Sequence, residues 1–228
     1  MEFTNMSNFV VSTDDEDKIE LLKFLMKLRS MSVIERCSNT HHLAKYSVAE
    51  HSYYTTLIAI VIADLENENI KADAIKQGKK NYYQYDIAEV MRKAFFHDME
   101  ESLTGDILFP VKHSDDDDLS NEFSRMANFV VEKALFKELP TTVRETYIKT
   151  WQTAKDSSPE GRLVAAADKI EILLFAYIEI STGNVFFRKI YNNAVKLIKE
   201  EFYDILTIKN LLEEISKYAN YNLNNKKI

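Results

Sequence analysis

Apolar residues recur along most of this chain at spacings of three and four, the period of amphipathic α-helices. The first such segment runs from 17 to about 29. Others follow at about 47–66, 86–105, 119–136, 141–155, 158–183 and 186–218. The pattern predicts an all-α fold, a single-domain helical bundle.

Helix-capping residues support several of these boundaries. Ser47 and Glu50 have the spacing of a capping box, and Asp86 is placed to cap the helix that follows it. Gly105 and Gly183 are placed to end helices, because glycine adopts the left-handed conformation that other residues avoid. The helix starts and ends are therefore predicted by local chemistry as well as by periodicity.

Polar segments define the predicted domain organisation. Residues 1–16 are polar and acidic and are expected to form a flexible tail, and 219–228 a polar C-terminal tail. Residues 17–218 form the one predicted domain. Within it, 67–85 is predicted to be a polar linker or surface excursion, with a short helix at about 72–77.

The amino-acid composition agrees with an all-α fold and restricts the classes of ligand and cellular compartment. Only 4 Gly and 3 Pro occur in 228 residues, which leaves few turns for a sheet. The single Cys37 excludes an internal disulfide and suits a reducing compartment, so a cytoplasmic protein is expected. No apolar run approaches the ~18 residues of a membrane span. A net charge of -7 argues against nucleic-acid polymers as ligands but not against a nucleotide.

The most informative stretch begins with an adjacent His97-Asp98 pair near the predicted end of a helix. Such a pair offers one nitrogen and one carboxylate oxygen to the same divalent ion. Glu101 follows at i+4 from His97, so helical spacing projects it to the same side. The stretch is a candidate metal pair with an acid/base group beside it.

Two further residues are candidate ligands on other helices. His51 lies on the inward stripe of its helix, where a histidine is either a hydrogen-bonded core residue or a ligand. Asp168 is a carboxylate among aliphatic neighbours, and burial requires a partner, either Lys or Arg or a metal ion. The acidic run Asp115–Asp118 is interpreted as a solvated loop rather than a second metal site.

The order His51, His97-Asp98, Asp168 resembles the H…HD…D ligand order of the HD-domain metal-dependent phosphohydrolases. The segments 47–52 and 97–106, with 110–112 after them, are similar to the bacterial 5′-deoxynucleotidase branch of the YfbR type. The resemblance implies a helical bundle with one divalent metal ion in a central cleft. The ion could be Mn, Co, Fe, Zn or Mg, and a homodimer is one assembly state left open.

The resemblance also implies roles for individual residues. Arg36 would orient the phosphate, Glu101 would be catalytic and Asp106 would bind substrate. The further expected substrate contacts are Cys37, Ile107, Leu108, Phe109 and Lys112. Cys37 stands where the family usually has Trp, which disfavours a 2′-hydroxyl. Relaxed sugar selectivity is therefore expected, unless Tyr46, Phe109 or a tyrosine at 82–85 fills the gap.

The expected function is hydrolysis of nucleoside 5′-monophosphates to nucleoside and phosphate. Glu101 could accept the proton of the attacking water or protonate the leaving oxygen. Three alternatives stay open: a dNTP triphosphohydrolase, a guanosine tetraphosphate hydrolase and a non-catalytic helical binding module stabilised by metal. The first lacks its usual glycine-histidine-rich stretch after Asp98, the second its HDxxED motif, because Ser102 follows Glu101.

Overall fold

The computed structural model describes residues 13–107 and 117–225. These two ranges are helical, joined by turns and loops, with an isolated β-bridge between Glu35 and Ser47. A π-helical turn, Val131–Leu135, continues the helix that ends at Val130, and a 3-10 turn, Val185–Phe187, precedes the helix that begins at Arg188. The all-α prediction is confirmed. The helices are α1 Thr13–Ser30, α2 Val48–Lys76, α3 Ile87–Phe96, α4 Glu101–Thr104, α5 Asp117–Val130, α6 Thr141–Gln152, α7 Pro159–Ser181, α8 Arg188–Glu201 and α9 Leu206–Asn225.

The main core lies where α2, α3 and α7 meet. Each contributes a fully buried alanine, Ala63, Ala94 and Ala167 respectively, and such small side chains let helix axes approach closely. Larger side chains such as Leu163 and Ile170 fill the remaining space. Because these same helices carry the candidate ligands, the close packing also sets the spacing of the site.

A second cluster packs under α1. Phe24 of α1 contacts Phe136 with their ring centroids 5.9 Å apart, and Phe96 at the end of α3 lies against Tyr147 of α6 at 4.7 Å. These aromatic contacts support the end of α3, next to the His97-Asp98 pair. No helix in the described part of the chain is both long and apolar enough to cross a membrane.

Helix α2 is longer than the sequence pattern predicts. It was expected to end near 66 but continues to Lys76, so the linker expected over 67–85 is helical for its first half. Asn67 makes two hydrogen bonds with the backbone of Tyr85, at 2.7 and 3.1 Å, and Asn69 donates to Thr207 Oγ1 at 3.2 Å. These polar residues are tertiary hydrogen-bonding partners, which a hydrophobic pattern does not detect.

The segment predicted as one helix from 186 to 218 is two helices, α8 and α9. Arg162 of α7 bridges the break: it forms a bidentate pair with Asp204, at 2.9 and 3.0 Å, and donates to the Glu201 carbonyl at 2.9 Å. Glu66 of α2 accepts the Thr207 backbone N–H at the start of α9. Side chains from other helices therefore stabilise the ends that interrupt the amphipathic period.

Both terminal helices extend into the predicted tails. Helix α1 begins at Thr13, four residues before the expected start at 17. Helix α9 continues to Asn225, past the expected end at 218.

Candidate active site

Four side chains from three helical segments converge in the centre of the bundle. His51 lies in the first turn of α2, His97 and Asp98 follow α3, and Asp168 lies in the middle of α7. His51 Nε2 is 3.2 Å from His97 Nε2, 3.1 Å from Asp168 Oδ1 and 3.5 Å from Asp98 Oδ2. His97 Nε2 is 3.2 Å from Asp98 Oδ2. All four are buried, and the structure thus brings together the residues that the sequence predicted as a set.

The His97-Asp98 pair sits on a break between two helices, not inside the single helix that was predicted over 86–105. Helix α3 ends at Phe96. His97 Nδ1 lies 2.6 Å from the carbonyl oxygen of Ala94, which would accept a backbone hydrogen bond if the helix continued. Tighter turns then run from Phe96 to Met99, and α4 begins at Glu101. The break places His97 and Asp98 side by side.

The hydrogen-bonding partners of the imidazoles leave both Nε2 atoms pointing at each other. His51 Nδ1 is 2.6 Å from Glu171 Oε2, and His97 Nδ1 faces the Ala94 carbonyl, so each Nδ1 is assigned as the donor. Two facing lone pairs 3.2 Å apart repel unless a cation lies beside them. Adjacent ligands of a divalent ion at ~2.1 Å are themselves about 3 Å apart. Two nitrogens and two carboxylates at this spacing fit a divalent metal ion.

The charges around His51 also favour a cation at this site when no metal ion is bound. Burial and the charge of Arg36 oppose protonation of His51, but hydrogen bonds to Asp168, Asp98 and Glu171 outweigh them and raise its pKa to about 10. Without a metal ion, His51 therefore carries the additional proton. A metal ion has to displace that proton.

Arg36 and Glu101 meet beside this cluster. Arg36 Nη1 is 3.1 Å from Glu101 Oε2, 3.2 Å from Asp98 Oδ2 and 2.9 Å from Asp106 Oδ1. Burial lowers the pKa of Arg36, but the negative charges of Asp98 and Glu101 outweigh this effect and raise the pKa well above its ordinary value. A permanently charged guanidinium is thus held within reach of the candidate ligands.

Asp106 also fixes the backbone beside Arg36. Its Oδ2 accepts the Cys37 backbone N–H at 2.9 Å while Oδ1 contacts Arg36. Cys37 has φ of 55°, a left-handed conformation that is uncommon outside glycine. Such strain persists where surrounding contacts over-determine the backbone, as the carboxylate of Asp106 does here.

Sequence reasoning missed several polar neighbours of the site. Lys155 and Lys169 contact Asp168 Oδ2 at 2.8 and 3.0 Å, so this carboxylate has lysine partners and also faces the histidines. Glu171 orients His51, and Tyr46 donates to Glu171. The spacing of Glu171 at i+3 from Asp168 could have indicated a shared face. Lys155 lies in a turn, because the helix predicted over 141–155 ends at Gln152.

We expect Lys155→Gln to bind divalent metal more tightly than the wild type. The ammonium group lies 2.8 Å from Asp168 Oδ2 and 3.5 Å from Asp98 Oδ1, so it competes with an ion for the same carboxylates. Removing one positive charge that is partly solvent-screened should lower the Kd by about tenfold. Calorimetric titration of metal-stripped protein with Mn²⁺ measures it, with Lys149→Gln as a control outside the cleft. An unchanged or higher Kd would contradict the competition.

Two residues of the cluster, Asp98 and Asp168, line a cleft of about 290 Å³. Four of the predicted substrate contacts line it: Arg36, Cys37, Asp106 and Ile107. Lys155, Lys169 and Lys189 add positive charge, and Ile172, Ile190, Ala194 and Leu197 form an apolar wall. The predicted contacts Leu108, Phe109 and Lys112, together with Asp115 and Asp116, lie outside the described residues.

Comparison with solved structures identifies the class of protein that this fold and site define. An HD-domain phosphohydrolase from Listeria innocua superposes with a TM-score of 0.71, at 27% identity, covering 87% of this chain and 89% of that one. A predicted metal-dependent phosphohydrolase from Magnetospirillum magnetotacticum shares the fold with a TM-score of 0.60, at 19% identity, over 93% and 98% of the two chains. The protein is an HD-domain phosphohydrolase.

The sequence comparisons narrow the class to one family. Residues 23–218 match the YfbR-like 5′-deoxynucleotidase family, and the chain belongs to it. A 5′-deoxynucleotidase of Vibrio vulnificus is 27% identical over 161 residues, 71% of this chain and 76% of the relative. One from Pasteurella multocida is 26% identical over 170 residues, 75% and 80% of the two. The predicted family and all-α fold are confirmed, and the protein is a hydrolase of phosphoric monoesters.

Proposed function

We propose that this protein is a metal-dependent 5′-nucleotidase that hydrolyses nucleoside 5′-monophosphates to nucleoside and phosphate. The observation that carries the proposal is the contact between Arg36 and Glu101 next to the His/Asp cluster. A purely structural ion needs neither a buried phosphate-binding guanidinium nor a carboxylate beside it. We also propose a cytoplasmic location, because the lone Cys37 requires no oxidising compartment.

In this proposal His51, His97, Asp98 and Asp168 hold one divalent ion. When bound, the ion supplies a water of lowered pKa and polarises a phosphate oxygen. The metal can be Mn, Co, Fe, Zn or Mg, since sites of imidazole and carboxylate accept several of these.

The chain's own residues then position the phosphate and move protons. The Arg36 guanidinium binds phosphate oxygens with charge-assisted hydrogen bonds and holds them in line for attack. Glu101 is fully buried 3.1 Å from Arg36, so it can accept the proton of the attacking water or donate one to the leaving 5′-oxygen. Asp106 keeps the Cys37 backbone and Arg36 in place.

A dNTP triphosphohydrolase is the second candidate, favoured by one observation. Lys155, Lys169 and Lys189 line the cleft in addition to Arg36, which is more positive charge than one phosphate requires. Product analysis distinguishes the two functions. Assayed against mono-, di- and triphosphates with several divalent metals, the protein should release inorganic phosphate from monophosphates. Release of tripolyphosphate from dNTPs, with monophosphates untouched, would favour the second candidate.

Cys37→Trp is expected to increase the preference for deoxyribonucleotides. Cys37 lines the cleft next to Arg36, and its small side chain cannot exclude a 2′-hydroxyl by bulk. Tyr46 does not fill the gap, because it is buried, stacks on Phe175 at 3.8 Å and contacts Glu171. We expect the wild type to prefer dAMP over AMP by less than about a hundredfold in kcat/KM, ~2.7 kcal/mol.

The measurement is kcat/KM for dAMP and AMP in the wild type, Cys37→Trp and the size-matched control Cys37→Ser. The tryptophan variant should lose activity on AMP more than on dAMP, whereas the serine variant should keep the wild-type ratio. A wild-type preference above a hundredfold would mean that a different residue excludes the 2′-hydroxyl.

A further inference from the structure

The cleft has a second wall whose chemistry differs from that of the charged cluster. Of the α8 residues that line the cleft, Ile190, Asn193, Ala194 and Leu197 lie at i, i+3, i+4 and i+7 and form one stripe of the helix; Lys189 lines the cleft as well. Ile172 of α7 lines the same cleft and packs with Ile190 against the buried aromatic cluster around Phe175 and Phe187. The wall therefore rests on a packed core.

The distance between the candidate metal cluster and the apolar wall matches the dimensions of a nucleoside 5′-phosphate. Asp168 and Ile172 are one helical turn apart on the same face of α7, an axial rise of about 6 Å. This rise separates Asp168, in the candidate metal cluster, from Ile172, in the apolar wall. Its length is comparable with the length of the sugar ring and methylene that separate a phosphate from a base. A phosphate at the cluster would direct its base toward α8.

The composition of the wall suits a flat heteroaromatic ring with a polar edge. Ligand sites combine apolar surfaces with a few polar groups that fix orientation. Ile190 and Leu197 offer aliphatic surface, and Ala194, with no side chain beyond Cβ, leaves room between them. Asn193 is exposed on the same stripe, and its carboxamide offers a donor and an acceptor side by side, as base edges do.

We propose that the α8 wall binds the nucleobase of the substrate, with Ile190 and Leu197 contacting the ring and Asn193 hydrogen-bonding its edge. This inference rests on the proposed nucleotidase function and adds the residues that distinguish a nucleotide from other phosphomonoesters. Asn193 and Leu197 are specificity-determining residues here, because they act on the base and not on the reacting phosphate.

The test compares two substrates with the same phosphate and sugar, dAMP and 2-deoxyribose 5-phosphate, which lacks the base. Asn193→Ala should lower kcat/KM for dAMP about three- to tenfold, the range of one or two lost hydrogen bonds. Leu197→Ala should lower it to a similar extent through lost apolar contact. Neither should change kcat/KM for 2-deoxyribose 5-phosphate. Asn192→Ala is the matched control, because Asn192 is the adjacent exposed asparagine on α8 and does not line the cleft.

The outcomes separate this inference from the function on which it rests. If the wild type hydrolyses dAMP but both variants leave its kcat/KM unchanged, or lower both substrates equally, the wall does not bind the base and the nucleotidase function stands. If the wild type treats 2-deoxyribose 5-phosphate and dAMP alike, the base makes no contribution and the inference is overturned. If the wild type hydrolyses p-nitrophenyl phosphate but no nucleotide, the proposed function fails and this inference fails with it.

Discussion

Asp168→Ala is expected to abolish both bound metal and phosphohydrolase activity, with a loss of at least about 10³-fold in kcat/KM. Asp168 Oδ1 lies 3.1 Å from His51 Nε2 and belongs to the candidate donor set. Its removal takes away one ligand and leaves Lys155 and Lys169 as cations beside the metal position. Both changes disfavour a divalent ion. Alanine at His51, His97 or Asp98 should behave in the same way.

The measurement is elemental analysis of purified variants together with phosphate release. Asp204→Ala and His42→Ala are matched controls, because they remove a carboxylate and an imidazole outside the cluster. Both should retain full metal content and activity. An Asp168→Ala protein with one ion per chain would remove Asp168 from the metal site.

Glu101→Gln is expected to retain metal but lose about 10²- to 10⁴-fold in kcat, the range for removal of a general acid or base. The amide has the same size as the carboxylate, so the buried contact with Arg36 is weakened without creating a cavity. The change removes the proton-accepting group and leaves the candidate ligands untouched. KM should therefore change much less than kcat.

Glu100→Gln provides a closely matched control for this variant. Glu100 is the preceding residue, is also buried, and accepts a hydrogen bond from the Trp151 indole at 2.6 Å, which a glutamine oxygen can still accept. Its activity should stay near that of the wild type. Comparing kcat, KM and metal content of the two variants separates loss of chemistry from general disturbance of this turn. Wild-type turnover in Glu101→Gln would contradict the catalytic role.

The sequence predicted the parts of the site that follow from local periodicity. His51 and Asp168 lie on inward helical stripes, and the His97-Asp98 pair is adjacent in the chain, so their burial near one another follows from helix faces meeting in a bundle. The expectation that Asp168 has a partner is met by lysines: two of them contact one carboxylate oxygen, while the other oxygen faces His51. A metal ion at Asp168 stays a prediction.

The parts that sequence could not predict depend on tertiary hydrogen bonds. Lys155 reaches Asp168 from a turn, and Glu171 of α7 orients His51 of α2. Helical spacing places Glu171 on the same face as Asp168 but does not identify its partner on another helix. Helix α2 passes its predicted end because Asn67 and Asn69 find partners far along the chain. Polar residues that favour a loop when considered locally can thus stabilise a helix once the bundle forms.

Titration of metal-stripped protein with Mn²⁺, followed by phosphate release from dAMP, tests the central claim most directly. The protein should be inactive without added metal, because His51, His97, Asp98 and Asp168 alone supply no activated water. Activity should rise linearly and saturate at one ion per chain, with deoxyadenosine and phosphate formed in equal amounts. Undiminished phosphate release from the metal-free protein, or no release at saturating metal, would contradict a metal-dependent 5′-nucleotidase.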